Sequence, residues 1–384
     1  MQAAVLAAGE GQRLRPFTVN KPKVMIKIGN KPVLEYVIES LREAGIRDIV
    51  LVVGYRRTRV MDYFGDGSRW SVNIEYAIQE KQLGTAHALK QAEKFLSDDF
   101  VVVSGDNIFD AETLKRLEKW SVAFKRADEV SKYGVLEVVE GKVRRVVEKP
   151  EKPISALINT GIYRFGSEIF EFINDITDIP TVINRMTEAG YEFSAVEAEK
   201  WLDIVYPWDI LKINEIAMDF RGVTVSGKID DAEIVGDVSI GMNSIVKHGA
   251  FIRDAVVGRN CEIGQNTIIK GRTSIGDNVR IGALCYIENS VIGDNVVVGP
   301  QSYIKDSVID NGCVIGAKFT TISDQASVIV EGEVHKIEAG AFIGENCSVG
   351  SNVVIEAGSI IGNRCKISPG KVVFGRIPDD SMVV

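Results

Sequence analysis

Cysteine is scarce and unevenly placed: there are five in 384 residues, all after residue 260, and none forms a CxxC pair. That spacing gives no support to a zinc site or a dithiol redox motif. No apolar run approaches the roughly 18 residues of a membrane span. Met1 leads straight into a strand pattern, without a charged leader or a cleavage site, so a cytoplasmic protein with no membrane partner is expected. Clustered positive charge is also missing. Lys and Arg number 45 against 53 Asp and Glu, a net charge of −8, and no basic run exceeds a couple of residues. This argues against nucleic acid as the main partner, because a phosphate backbone needs a clustered basic footprint. What the chain has in quantity is apolar residues, 45%, and at this length two domains are expected.

The cysteines lie in repeating contexts. GRNCEIG, DNGCVIG, GENCSVG and GNRCKIS each place the Cys two residues before an aliphatic. Val257, Ile263, Ile269, Ile275, Ile281 and Ile287 recur every six residues, and Ile343, Val349, Ile355, Ile361, Ile367 and Val373 do so again. That period marks a hexapeptide β-helix, expected over 223–384. Gly264, Gly276, Gly282, Gly344, Gly350 and Gly362 follow these aliphatics and are expected to supply permissive backbone angles where each short strand turns. The cysteines share a register with Thr267, Val279, Val353 and Ser359 and are expected to be small inward-facing core residues. The period slips near Ile292 and Ile309 and breaks between Gly316 and Ile343. The break leaves an insertion at about 317–342, a place where solenoids often carry function.

Residues 1–222 follow a different rule. Short apolar runs (AAVLA, DIVLVV, FVVVS) alternate with amphipathic helical patterns such as VLEYVIESLREAG. Strand and helix in alternation predict an α/β domain with a mostly parallel sheet covered on both faces. Ligands of such sheets lie at the carboxyl ends of strands, which directs attention to the residues after AAVLA and FVVVS.

After AAVLA comes a glycine turn. Gly9 and Gly11 are there, but Leu14 stands where a dinucleotide fingerprint needs its third glycine, and no GK[ST] follows, so a Walker loop is excluded as well. What remains is a turn whose amides can approach an anion, with Arg13 and, ten residues on, Lys23 of KPK to neutralise it. A triphosphate fits that combination; a solvated loop arginine is the bland alternative. Asp106 after FVVVS and Asp203 after WL have bland alternatives of their own, as helix caps or turn residues.

The stretch LAAGEGQRLRPFT followed by KPK resembles the signature of sugar-1-phosphate nucleotidylyltransferases. The resemblance continues in order through GDGSRW (65–70), QEKQLGTAHAL (79–89), SGDNIF (104–109), KYGVLE (132–137), EKP (148–150), INTGIY (158–163) and WLD (201–203). It implies a Rossmann-like nucleotidyltransferase domain followed by a left-handed parallel β-helix. The implied reaction is Mg²⁺-dependent transfer of a nucleotidyl group from UTP or dTTP to glucose-1-phosphate or N-acetylglucosamine-1-phosphate, with release of pyrophosphate. By the same resemblance Arg13 and Lys23 would hold the triphosphate, and Lys149 the sugar phosphate. The nucleotide would lie against Leu6, Ala7, Ala8, Gly9, Gly11, Gln79, Gly84 and Thr85. Gly134, Glu148 and Asn159 would meet the sugar, and Asp106 and Asp203 would bind Mg²⁺. The chemistry is coherent: two polyanions must be brought together, so the work is charge neutralisation and in-line positioning, with no covalent nucleophile.

Some positions depart from the family pattern. Val205 stands where a glycine usually follows WLD, and DIPTVINRM lacks an acidic cluster, which leaves sugar selectivity open. Tyr133 and His87 read more readily as packing or satisfied residues than as catalytic ones. A bifunctional branch of the family also carries glucosamine-1-phosphate acetyltransferase activity in its β-helix. There, the position of the general-base histidine is Pro300 here, which cannot take a proton, and TISDQAS replaces the expected asparagine motif. His248 and His335 fall elsewhere, although His335 on the insertion could reach a neighbouring subunit. A non-catalytic scaffold is a further alternative, opposed by the joint presence of Arg13, Lys23, Asp106, Lys149 and Asp203. Val246, Val256 and Val297 are expected to point outward on the prism and to favour a homo-oligomer, a trimer through the β-helix.

Overall fold

The computed structural model describes residues 1–152, 154–218 and 224–384. The expected boundary at 222/223 lies outside the described residues. The chain forms two compact units. One comprises Met1–Glu10, Asn20–Met25 and Pro32–Asp203, and the other comprises Gly11–Val19, Ile26–Lys31 and Ile204–Val384.

The first unit is an α/β sandwich around one nine-stranded sheet. Its strands are β1 (Gln2–Ala7), β2 (Asp48–Val53), β3 (Asn73–Ile78), β4 (Asp99–Ser104), β6 (Ser121–Arg126), β7 (Gly134–Val139), β8 (Lys142–Glu148), β9 (Leu157–Gly166) and β10 (Phe193–Glu197). A short ribbon of β5 (Asn107–Phe109) and β11 (Trp201–Asp203) stands apart from it. The sheet order is β3-β2-β1-β4-β9-β6-β10-β8-β7. The first four strands are all parallel, as the alternating strand-helix pattern predicts. Beyond β4 the sheet is mixed: β9 runs antiparallel to both β4 and β6, and only β6 and β10 are parallel there. Alternate residues of the parallel strands enter opposite cores. Ala4, Val50, Val52 and Val102 face one, and Ala3, Val5, Leu51, Val101 and Val103 face the other. Both faces carry helices, among them α1 (Val33–Glu43), whose Val33, Leu34, Val37, Ile38 and Leu41 are buried along one stripe. Another, α2 (Ile179–Glu188), starts at Asp178, whose carboxylate accepts from the Thr181 amide at 2.8 Å.

The second unit is built of short parallel strands in two large sheets. Most strands pair with one 17 or 18 residues further on, so that Ile263 stacks on Ile281, Val298 and Ile315 in turn. The slip at Ile292 is absorbed by a shortened repeat, and Ile275, Ile292 and Ile309 still align. The five cysteines are buried and unbridged. Their thiols also make a contact that periodicity does not reveal, each donating to a carbonyl of the following layer, for example Cys261 to Gly276 at 3.0 Å and Cys347 to Gly362 at 3.0 Å. Thr267 does the same to Gly282 at 2.8 Å. Burial raises the pKa of the Cys261 and Cys285 thiols and pushes that of Cys365 up to about 11.

Two expectations for this unit are corrected. The repeat glycines are not the left-handed residues. That conformation falls to residues such as Asn260, Asn278, Asn295, Asn346 and Asn352, and the first three form a side-chain ladder, with Asn260–Asn278 at 3.1 Å and Asn278–Asn295 at 3.2 Å. Glycine is required because neighbouring layers are too close for a Cβ: one on Gly282 would lie 2.5 Å from the Pro300 nitrogen. Val246 does not point outward but belongs to the inner core at 0% exposure. Val256 lies between the inward Ala255 and Val257, on the outer face of its strand, yet is covered to 4% exposure, so that of the three only Val297, at 39%, is exposed. The break in the period is an antiparallel hairpin, Asp324–Val330 with Glu333–Ala339, after which Phe342 and Ile343 resume the stack on Val308 and Ile309. Helix α3 (Asp209–Met218) belongs to this unit, and its buried Asn214 donates to the Arg272 carbonyl at 2.7 Å.

Candidate active site

Parallel register brings four strand ends together. Ala7 of β1 aligns with Val53 of β2, Val53 with Ile78 of β3, and Leu6 with Ser104 of β4. Each strand then releases a loop of chemical interest on the same edge, as expected for an open α/β sheet. The Gly105 amide donates to the Leu6 carbonyl at 2.9 Å. A Cβ on Gly105 would lie 3.2 Å from the Ala7 methyl. Asp106 therefore leaves β4 directly beside the end of β1.

Three groups of side chains form around this edge. In the first, Lys23 Nζ lies 2.5 Å from Asp106 Oδ2 and 3.0 Å from Asp203 Oδ1. Asp203 reaches this position through the β5–β11 ribbon, where it pairs with Asn107, and Asn107 Nδ2 donates to the same Oδ1 at 3.1 Å. Burial by itself would lower the pKa of Lys23, but the Asp106 and Asp203 carboxylates outweigh it and the pKa is raised. Sequence residues 97 apart thus converge on one cation. Among the described residues no group of three or more His, Cys, Asp or Glu side chains is arranged to hold a metal. The two aspartates are a pair of hard oxygen donors facing one positive charge.

The second group lies beyond β3. Gln79 is buried, and its Nε2 donates to the Gly84 carbonyl at 3.1 Å and lies 2.9 Å from His87 Nδ1. A carbonyl can only accept, so the amide nitrogen points to Gly84, and His87 Nδ1 is the accepting nitrogen. Gly84 has φ +109, and a Cβ there would collide with the Thr177 carbonyl. Thr85 Oγ1 accepts from the Ile179 amide at 3.0 Å. Gln82 Nε2 donates to the Ala8 carbonyl at 2.9 Å, tying this loop to the end of β1. His87 and Gln82 sit within the QEKQLGTAHAL motif, yet their contacts could not be read from it.

The third group is carried by β7, β8 and β9. A Cβ on Gly134 would lie 2.8 Å from Glu148 Oε2 and 3.5 Å from the Asn159 Cβ, so the absence of a side chain at 134 makes room for that carboxylate. Partial burial raises the pKa of Glu148, opposed by adjacent Lys149. Lys149 is exposed and left-handed, with φ +40, and its amide donates to the Tyr133 carbonyl at 3.2 Å. Asn159 Nδ2 donates to the Tyr163 hydroxyl at 2.7 Å. Tyr133 packs edge-to-face on Trp201 with ring centroids 5.6 Å apart.

Arg13 belongs to none of these groups. It follows Gly11, which is left-handed at φ 77, and its Nε donates to Glu331 Oε2 of the hairpin at 2.6 Å. That hydrogen bond raises its pKa.

Residues 2–219 match the nucleotidyl transferase family model. Residues 222–328 match that of the EIF2B subunit epsilon LbH domain, and 340–375 that of the bacterial transferase hexapeptide (six repeats). The chain is 32% identical over 328 residues to the bifunctional protein GlmU of Methanococcus maripaludis, covering 76% of this chain and 77% of that protein. It is 38% identical over 227 residues to the UTP–glucose-1-phosphate uridylyltransferase AglF of Haloferax volcanii, covering 54% and 93% respectively. Identity to the glucose-1-phosphate thymidylyltransferase of Streptomyces griseus is 31% over 308 residues, covering 76% and 85%. A solved structure described as a glucose-1-phosphate thymidylyltransferase of Bacillus anthracis superposes with a TM-score of 0.53 at 27% identity, covering 58% of this chain and 98% of that one.

Proposed function

The chain belongs to the nucleotidyl transferase family, as a sugar-1-phosphate nucleotidyltransferase with a C-terminal hexapeptide-repeat region, and from that premise we propose that it transfers a nucleotidyl group from UTP or dTTP to a hexose-1-phosphate. The observation that carries this reading is the convergence of Asp106 and Asp203 on Lys23 at the carboxyl end of the parallel strands. In it, Lys23 and Arg13 neutralise the triphosphate. Lys149 takes the sugar phosphate, with Glu148 and Asn159 beside Gly134 for the sugar hydroxyls. The oxygen pair of Asp106 and Asp203 suits Mg²⁺, which takes one or two carboxylates and completes its shell with phosphate oxygens and waters. Bound there, the ion would supply charge stabilisation at the phosphate under attack.

Gln79 supports a pyrimidine carrying an N3–H. Its amide nitrogen is committed to Gly84 and His87, so what it offers a base is an acceptor oxygen. Uracil and thymine present a donor at N3, whereas cytosine presents an acceptor. Uracil and thymine differ by one methyl group, which a pocket separates by only about 1–3 kcal/mol. Among the described residues no helix is long and apolar enough to cross a membrane, which supports a cytoplasmic enzyme. Exposed Ile245, Val297, Val314 and Met382, all on one of the two large sheets of the second unit, support a homotrimer formed through a left-handed β-helix. Pyrophosphate release measured across UTP, dTTP, CTP, ATP and GTP against glucose-1-phosphate and N-acetylglucosamine-1-phosphate tests the reading. UTP or dTTP gives the highest turnover; a preference for CTP or a purine nucleotide overturns it.

A further inference from the structure

The hairpin Asp324–Val330/Glu333–Ala339 is not a loose excursion. Ala326 and Val328 cover Gly358, where a Cβ would lie 2.6 Å from the Ala326 methyl and 3.0 Å from Val328 Cγ2. Val328 and Val330 are buried. His335 stacks on Tyr206, with centroids 4.4 Å apart, and lies 5.4 Å from Trp208. The reversal itself uses left-handed Glu331 and Gly332, at φ 51 and 84, the two-residue turn geometry that suits a twisted hairpin. A rigid hairpin therefore presents Glu331 at its tip. That carboxylate accepts from Arg13 Nε at 2.6 Å, and Glu333 adds further negative charge felt by Arg13.

We propose that Glu331 competes with the nucleoside triphosphate for Arg13, so that the hairpin of the repeat region sets nucleotide affinity. The inference rests on the reading of Arg13 as a triphosphate ligand. A carboxylate on Nε occupies the Nε–Nη edge of the guanidinium and leaves a phosphate only the Nη1–Nη2 edge, with part of the positive charge already neutralised. A polyanion arriving there also meets the charges of Glu331 and Glu333. The pair is partly solvated, with side chains 36% and 49% exposed, so the competition is modest. It is worth roughly a threefold to fivefold change in affinity, the range of exposed ion pairs, and it is screened by salt.

The test is steady-state kinetics of the full chain with UTP or dTTP, whichever turns over faster, at low and high salt. Glu331→Gln lowers the nucleotide KM by about threefold to fivefold at low salt, leaves kcat and the sugar-phosphate KM unchanged, and loses most of its advantage at high salt. An unchanged or raised nucleotide KM in Glu331→Gln overturns the proposal. Arg13→Gln separates the two readings. If it raises the nucleotide KM while Glu331→Gln does nothing, competition fails and the triphosphate assignment stands. If it leaves the nucleotide KM unchanged, the triphosphate assignment fails and the competition with it.

Discussion

Asp203→Asn isolates charge from shape at the centre of the site. The substitution keeps the side-chain volume and an oxygen able to accept from Lys23 and Asn107, and it removes one of the two negative charges facing Lys23 Nζ, which lies 3.0 Å from Asp203 and 2.5 Å from Asp106. None of these three side chains is more than 28% exposed. At an effective dielectric of about 20, a unit charge pair about 3 Å apart is worth roughly 5 kcal/mol before desolvation is subtracted. A hydrogen bond to a charged group leaves about 1.5–3 kcal/mol net. Loss of about 2 kcal/mol corresponds to a fall of roughly 4–8 °C in the melting transition of a unit this size, so the protein remains folded at 25 °C. Catalysis suffers more. A divalent cation held by this pair would lose one of its two carboxylates, and no neighbouring carboxylate among the described residues replaces it. A hundredfold fall in kcat, equivalent to about 2.7 kcal/mol, is the expected minimum. The assay is initial-rate pyrophosphate release with Mg²⁺ titrated to saturation, beside Asp106→Asn. Turnover within threefold of wild type at saturating Mg²⁺, with unchanged Mg²⁺ dependence, would refute the assignment of the pair to the metal.

Gly84→Ala forces a β-carbon into the Thr177 carbonyl at φ +109; a cost of about 2 kcal/mol or more is expected, with a raised nucleotide KM, and a wild-type melting curve would contradict it. Lys23 has a folded pKa raised above its unfolded value of about 10.4, so its contribution is complete below that pH and declines as pH rises through the folded value. The melting gap between wild type and Lys23→Met should stay constant from pH 7 to 10 and narrow only above that, and narrowing already at pH 8 would break the argument. Finally, Pro300 lacks a titratable group, so amino-sugar-dependent release of CoA thiol from acetyl-CoA and glucosamine-1-phosphate should be absent. Stoichiometric release would direct attention to His335.

What could be read from the sequence divides along a physical line. A six-residue period survives in the sequence because each inward position of a stack of short parallel strands sees the same environment, which is why Ile263, Ile269 and Ile281 could be placed from spacing alone. Face assignments between those positions are less robust, since a shift of one residue exchanges inside for outside, which is the error at Val246, whereas Val256 is on the outer face but covered. The reason for the glycines is hidden for the same cause: a sequence shows Gly282 following a strand but not Pro300 stacked above it. In the α/β unit, short motifs pointed to Lys23, Asp106 and Asp203, which the structure brings together; only Asp106 follows a strand of the parallel sheet, where topology makes strand ends share an edge. The tautomer-fixing contact of Gln79 with His87 needed coordinates, although both residues lie in one motif.

The Arg13–Glu331 pair is the limiting case, its partners 318 positions apart with no local pattern that joins them. Arginine in a glycine loop predicts an anion, and the loop does hold one, supplied by the chain itself. A loop that must admit a polyanion carries an unscreened positive charge before the substrate arrives. A nearby carboxylate lowers that cost while remaining exchangeable, provided it stays partly in water. Glu331 meets both conditions, being within 2.6 Å of Arg13 and about half exposed. Had the pair been fully buried, desolvation would have made opening it cost about 3–5 kcal/mol, too much for a site that must load and unload on every turnover.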